Sequence, residues 1–110
     1  MDTLTRGARP PSPCPLEEVL ELLAGAWTVK ILWYLCQGPH HFGALRRELG
    51  GVSAKVLTAR LRTLEQRGLV SRRVLDTQLR EVEYAVTALG EELRPILQAM
   101  EQVAARIVTA

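Results

Sequence analysis

The apolar residues of this chain change their spacing at Gly68, and this change constrains the fold more than any other feature of the sequence. Before Gly68, leucines in residues 57–64 recur at the i, i+4 and i+7 positions that share one helix face. After it, apolar and polar residues alternate over residues 82–86, as they do in a half-buried strand. The sequence therefore predicts a mainly α domain with a small β-hairpin.

Two short helices precede the change in spacing. The apolar residues of 42–49 fit a two-turn helix, and Gly50-Gly51 supplies a turn. Ser53 is a good N-cap for a second helix over 53–67, because its hydroxyl can accept a hydrogen bond from a free backbone N–H. Gly68 is a natural helix end. Two helices joined by a turn of about four residues form a helix-turn-helix.

The same rules predict the remaining elements. These are a helix from Pro15 that ends near Gly25, a helix from Thr28, a short extended link at His40-His41, strands over 70–75 and 81–86, and a last helix that Thr87 caps. Pro95 lies inside the last helical pattern, so it must bend that helix or divide it in two. Residues 1–13 are polar and proline-rich and predict a flexible N-terminal arm before a domain of residues 14–110.

Composition excludes several classes of protein. No apolar run approaches the roughly 18 residues of a membrane span, and prolines replace the apolar stretch of a signal peptide. Two cysteines make no disulfide framework, so a cytoplasmic, nucleoid-associated location is expected. The chain carries no nucleotide-binding or zinc motif and no catalytic constellation. We therefore expect no enzyme activity, no cofactor and no metal site.

Positive charge is concentrated in the middle of the chain. Residues 44–80 hold nine Lys and Arg against three acidic residues, whereas the whole chain has a net charge of only +2. On the helix over 53–67, the face opposite the leucines would present Lys55, Thr58, Ala59, Arg62 and Gln66. Such a face suits the major groove of DNA, since it has hydrogen-bonding side chains, cations and one small residue. The alternative is a solvated helix whose exposed side is basic without a function.

Further arginines flank this helix. They are Arg46 and Arg47 on the helix before it, and Arg72, Arg73 and Arg80 in and around the hairpin. We expect Arg46, Arg47, Arg73 and Arg80 to contact DNA phosphates and Ser53 to lie at the helix entry. A winged-helix module that binds protein instead of DNA is the alternative function.

An ordered set of short motifs runs along most of the chain. They are Cys14-Pro15-Leu16, Gly25-Ala26-Trp27-Thr28, Gly38-Pro39, Phe42-Gly43-Ala44-Leu45-Arg46-Arg47, Ser53-Ala54-Lys55-Val56-Leu57-Thr58-Ala59-Arg60-Leu61, Leu64-Glu65, Gly68-Leu69-Val70, Val82-Glu83-Tyr84 and Thr87-Ala88-Leu89-Gly90. Over residues 14–105 this set resembles the HxlR-type winged helix-turn-helix regulators, which are related in plan to the MarR regulators. Two positions depart from the family pattern: Ala26 stands where a basic residue is usual, and Glu81 where an arginine is usual.

The resemblance implies a homodimeric transcription factor that binds palindromic operator DNA. It further implies that the helix over 53–67 reads the DNA and that the hairpin tip acts as a wing. Two apolar helix faces fit a dimer: one at the N-terminal helix, and a longer one over 88–109. The alternative is that both faces only close the core of one chain.

The two cysteines differ in their expected roles. Cys14 precedes Pro15 at a helix N-terminus, and some HxlR-type regulators sense thiol-reactive compounds at a similar position, so Cys14 is a possible redox sensor; a half-buried cap residue is the alternative. Cys36 is expected to be buried and inert. A metal site built from Cys36, His40 and His41 fits no structural zinc spacing.

Two tryptophans bear on a possible effector. Trp27 and Trp33 either line a ligand cavity near the dimer interface or belong to the core. The sequence identifies no effector, so the ligand stays an unknown small molecule or thiol-reactive compound.

Overall fold

The computed structural model describes Gly7, residues 14–75, Gln78 and residues 81–109. The expected N-terminal arm lies outside the described residues apart from Gly7, and most of the turn between the hairpin strands, including Arg80, lies outside them as well.

Helices and a small sheet alternate along the described chain. The elements are α1 (Pro15–Leu23), α2 (Thr28–Gln37), β1 (His40–His41), α3 (Phe42–Leu49), α4 (Ala54–Gln66), β2 (Val70–Val74), β3 (Val82–Val86), α5 (Ala88–Glu91) and α6 (Arg94–Thr109). The mainly α winged helix-turn-helix class is therefore confirmed. α1 ends before Gly25, since the chain leaves the helix at Ala24.

Local hydrogen bonds explain why α3 and α4 begin and end where they do. After α3, Gly50 adopts φ 62°, a left-handed conformation that glycine takes readily. The Ser53 hydroxyl accepts from Val56 N at 3.1 Å and caps α4, as expected. At the other end, Leu69 N donates to Leu64 O and Gly68 N donates to Glu65 O, both at 3.0 Å, which is a Schellman ending.

The sheet has one strand more than the expected hairpin. β2 and β3 are antiparallel, with Val70 opposite Val86 and Val74 opposite Val82. β1 adds to the free edge of β3, so the strand order is β1-β3-β2. The extended link at His40-His41 is therefore a short strand that ties the start of α3 to the hairpin.

Pro95 divides the C-terminal helical segment in two. α5 ends at Glu91 and α6 begins at Arg94, which leaves Pro95 in the first turn of α6, where its missing N–H costs no helical hydrogen bond. Thr87 begins this segment: its hydroxyl accepts from Gly90 N at 3.0 Å and donates to Gly68 O at 2.6 Å. One side chain thus joins the end of α4 to the start of α5.

The core lies between α2, α3, α4 and the sheet. The largest side chains that are almost fully buried are Ile31, Leu32, Leu35, Leu45, Leu57, Leu61, Leu64 and Val70. α1 contributes no buried residue, and the buried apolar residue of α6 is Leu97. No single helix of the described chain is long and apolar enough to cross a membrane; α1 and α2 would reach that length only together, across an 87° bend, and α2 is a core helix.

Candidate nucleic-acid interface

The exposed face of α4 is the one expected from the sequence. Leu57, Leu61 and Leu64 point into the core. On the opposite side of the helix, Lys55, Ala59, Arg62 and Gln66 are exposed and Thr58 is half-buried. No ion pair joins Lys55 or Arg62 to any residue that the structure describes, so both cations remain available to an anionic partner.

The two arginines of α3 differ in their surroundings. The Nε of Arg46 donates to Val52 O at 3.0 Å, so this side chain fastens the turn between α3 and α4. Arg47 is exposed and lines, with Gly43, Gly50 and Ser53, an open groove of about 570 Å³ beside the start of α4. Arg47 is thus placed to meet a partner of α4, while Arg46 also supports the turn itself.

Arg72 and Arg73 lie on opposite faces of the sheet because successive strand residues alternate. Arg72 stands opposite the buried Tyr84, on the face that packs toward the helices. Arg73 stands opposite Glu83 on the other face, and its Nη2 lies 3.2 Å from Glu83 Oε1. Arg73, which we expected to contact phosphate, is therefore already paired with a carboxylate.

A groove of about 510 Å³ separates α4 from the sheet. Thr58 and Arg62 line it from α4, and Arg72 lines it from β2. The sequence had placed Arg72 only among flanking charges. Counting alternate residues from the buried Val70 would have assigned Arg72 to the α4 side of the sheet.

The histidines and cysteines form no metal site in the described part of the chain, where no cluster of three or more His, Cys, Asp or Glu side chains could hold an ion. His40 is half-buried, with Nδ1 2.7 Å from Gly38 O, and His41 is exposed, with Nδ1 3.8 Å from Glu81 Oε2. Cys36 is buried, and this burial raises the pKa of its thiol, which disfavours the thiolate. Cys14 is half-buried at the N-cap of α1.

The two tryptophans lie in different surroundings, one against the core and the other beside a cavity. Trp27 packs against the core and adopts a left-handed backbone conformation with φ 75°. Trp33 lines a small cavity of about 90 Å³ between α2 and α6, together with Cys36, Arg94 and Leu97. Arg94 closes one side of that cavity, since it hydrogen-bonds both Glu91 and the Cys36 carbonyl.

Sequence comparisons agree with this geometry. Residues 22–110 match the model of the HxlR-like helix-turn-helix family. The chain is 40% identical over 89 residues to the HTH-type transcriptional regulator sll1512 of Synechocystis sp., covering 81% of this chain and 66% of that protein. It is 44% identical over 80 residues to YtfH of Escherichia coli, covering 73% of this chain and 64% of that protein. The matches thus span about two thirds of these relatives' length.

Solved structures show the same architecture. The HTH-type transcriptional regulator ytcD superposes with a TM-score of 0.82 at 30% identity, covering 87% of this chain and 98% of that one. The redox regulator HypR in its oxidized form gives 0.77 at 31% identity, covering 84% and 96%. The quinone-bound YodB of Bacillus subtilis gives 0.75 at 31% identity, also covering 84% of this chain, and 99% of that one.

The fold, the basic face of α4 and these relatives agree on one class of protein. Because the family model covers most of the chain, the assignment does not depend on the helix-turn-helix segment alone. The chain belongs to the HxlR-like helix-turn-helix family of DNA-binding transcriptional regulators.

Proposed function

We propose that this protein acts as a homodimer on a palindromic operator, with α4 of each copy in the major groove. One observation carries the proposal: a single face of α4 exposes Lys55, Ala59, Arg62 and Gln66, with Thr58 half-buried among them, while the leucines fill the core. Side chains of this kind can donate to base edges and phosphates, and Ala59 leaves room for close approach. Transcription would change through occlusion of a promoter or recruitment to it.

Phosphate contacts would surround this face. Arg47 and Ser53 lie beside the start of α4, and Arg46 reaches the same groove while it holds the turn. On the hairpin, Arg72 is a better candidate for a phosphate contact than Arg73, because Arg72 faces α4 and has no ion-pair partner among the described residues. Arg73 would first have to leave Glu83. Arg80, outside the described residues, stays a proposed contact of the wing, the β2–β3 hairpin with its loop.

The homodimer would form through the terminal helices. On α6, a stripe of exposed apolar residues at helical spacing comprises Ile96, Met100, Val103 and Ile107. On α1, Leu16 and Leu20 are more than half exposed. Soluble monomers rarely leave contiguous apolar surface of this kind uncovered, and a second copy would cover it. Two α4 helices could then reach half-sites about 34 Å apart.

Selection of binding sites from random duplexes tests the proposal. A palindromic consensus is expected, and the affinity for it should fall steeply with salt concentration. Arg62→Ala should weaken specific binding by about 1–3 kcal/mol and relax one position if Arg62 reads a base. A salt-dependent loss that is equal on all sequences would make Arg62 a phosphate contact. No binding to any duplex would favour the protein-binding module and reject the proposal.

Arg72 and Arg73 provide a matched pair for the same assay. Arg72→Ala should weaken binding to the selected duplex and lower the salt slope by about one. Arg73→Ala should do less, since Arg73 is paired with Glu83 on the other face of the sheet. Equal effects of both substitutions would contradict the assignment of Arg72 as the hairpin contact.

We further propose that an effector regulates DNA binding in the cytoplasm, where the protein would associate with the nucleoid and have no catalytic role. HypR is a redox regulator and YodB has been solved with a bound quinone, which supports a thiol-reactive effector. Cys14, half-buried at the start of α1, is the proposed sensor. Cys14→Ser should abolish release of the operator by an oxidant or a quinone; normal release would contradict this role.

A further inference from the structure

Arg60 connects α4 to a part of the chain that is distant in sequence. Its Nε donates to Ala26 O at 2.9 Å, across 34 positions of sequence. Ala26 lies in the linker between α1 and α2. The bond therefore runs from the helix that would read DNA to the linker that carries α1.

The linker is held in a conformation that it would not adopt freely. Trp27 is the one non-glycine residue of the described chain with a positive φ, a conformation that costs roughly 1–3 kcal/mol and persists only where its surroundings fix it. Gly25 allows Arg60 to approach, because a Cβ at Gly25 would lie 3.3 Å from Arg60 Nε and 3.0 Å from Thr28 Oγ1. Lys30 Nζ lies over the Trp27 ring, 5.2 Å from its centroid, and adds a cation–π contact to this residue.

We infer that Arg60 is a positioning residue, which fixes α4 relative to α1 and thereby sets the half-site spacing that the dimer accepts. The inference rests on the proposed function, because it requires α1 to lie at the dimer interface. α1 has no fully buried residue, and Leu22 and Leu23 at its C-terminal end pack against the core next to the linker. The bond from Arg60 to Ala26 O holds the linker at that same end, so it helps to fix the direction in which α1 leaves the domain. Arg60 itself points toward Glu21 and Thr28, away from the exposed face of α4.

The test uses the selected palindrome and duplexes with one or two base pairs added to or removed from its centre. Each base pair changes the half-site separation by about 3.4 Å and rotates one half-site by about 35°. The wild type should bind one spacing at least about tenfold more tightly than the others. Arg60→Met, which keeps the apolar stem and removes the donors, should lower this preference to about threefold or less, since one restraining hydrogen bond is lost.

A duplex with a single half-site provides the readout that separates positioning from direct contact. Affinity for the half-site should change by less than about twofold in Arg60→Met, because the exposed face of α4 is intact. Arg67→Met is the matched control. Arg67, the C-cap residue of α4, lines the same pocket, but no hydrogen bond or ion pair joins its side chain to a described residue. The spacing preference of the Arg67→Met variant should equal that of the wild type.

A second variant disturbs the same contact from the linker. Gly25 does not have a positive φ, so alanine suits its backbone, and the added Cβ would lie 3.0 Å from Thr28 Oγ1 and 3.3 Å from Arg60 Nε, which requires both side chains to shift by a few tenths of an ångström. Gly25→Ala should therefore weaken the spacing preference, by less than Arg60→Met does. Arg60→Lys, which can still donate to Ala26 O, should restore much of it. If Arg60→Met does not fold, as judged by thermal unfolding, these two variants decide the question.

The outcomes are distinguishable. An equal loss of affinity at every spacing and on the half-site would make Arg60 a phosphate contact and overturn the inference. An unchanged spacing preference in Arg60→Met and Gly25→Ala would overturn it as well. A wild type that shows no preferred spacing, or binds no palindrome, would instead reject the dimeric mode of binding that we propose above.

Discussion

The middle of the chain and its terminal helices differ in how far their apolar side chains are exposed to solvent. In α2, α3 and α4, the leucines are buried completely or almost completely, and Gly90 of α5 packs so closely on Leu69 that a side chain would not fit. In α1, apart from Leu22 and Leu23, and in most of α6, apolar residues of the same types face solvent. The core therefore lies almost entirely in the middle part, to which α6 adds Leu97, whereas the terminal helices leave most of their apolar surface exposed.

Charge follows the same division. The basic residues concentrate in the middle part, and the terminal parts carry a surplus of acidic residues. A basic middle between acidic, apolar ends supports the proposed function, in which the middle binds DNA and the ends pair with a second copy.

The largest difference between the two regions should appear in core truncation. Leu61→Ala should lower the free energy of unfolding by about 2–5 kcal/mol, because it removes a fully buried side chain and leaves a cavity. Leu20→Ala on α1 should lower the free energy of unfolding by less. This loss should become smaller on dilution, because the proposed dimer then dissociates and Leu20 no longer contacts a second copy. Urea unfolding at two protein concentrations measures both. A large cost for Leu20→Ala that does not depend on concentration would show that α1 packs within one chain.

A smaller effect should follow from a charge on the exposed face of α6. Met100→Glu should raise the dissociation constant of the proposed dimer by about tenfold or more, since the new carboxylate would be buried there without a partner. Gln102→Glu, on the polar side of the same helix, adds the same charge and should leave dimerisation unchanged. Sedimentation velocity compares the two. Equal behaviour of both variants would place the interface elsewhere.

The smallest effect concerns the junction of the two regions, at the α5–α6 break. The hydrogen bond from Arg94 holds the pKa of the Glu91 carboxyl below its ordinary value. A lowered folded-state pKa means that Glu91 contributes stability above its unfolded pKa and loses it as pH falls through the folded value. Glu91→Gln should therefore reduce the loss of stability between about pH 5 and pH 3, whereas Glu92→Gln should not. Denaturant titrations across that range measure the difference; an identical slope for Glu91→Gln would contradict it.

Local rules explain most of what could be predicted from the sequence. The bounds of α3, the Ser53 cap and the two strands of the hairpin depend on neighbours within a few residues, so spacing and turn residues were sufficient. Pro95 likewise acts locally, and its effect on the last helix was correctly anticipated.

Long-range contacts explain the features that could not be predicted from the sequence. β1 is a strand because it pairs with β3, which lies far away in sequence. The Arg46 side chain donates a hydrogen bond to Val52 O, on the other side of the turn between α3 and α4. The bond between Arg60 and Ala26 spans two elements that no periodicity relates. The pairing of Arg73 with Glu83 required the register of the sheet, which the sequence had not specified.

The exposed face of α4 has a consequence for how this fold can diversify. The side chains at positions 55, 58, 59, 62 and 66 make no hydrogen bond or ion pair with any described residue, so most exchanges there should cost little stability. The residues that hold α4 in place, Ser53, Arg60 and Gly68, lie elsewhere on the helix or at its ends. After gene duplication, two copies could thus acquire different operators by a few substitutions while the scaffold that carries them stays the same.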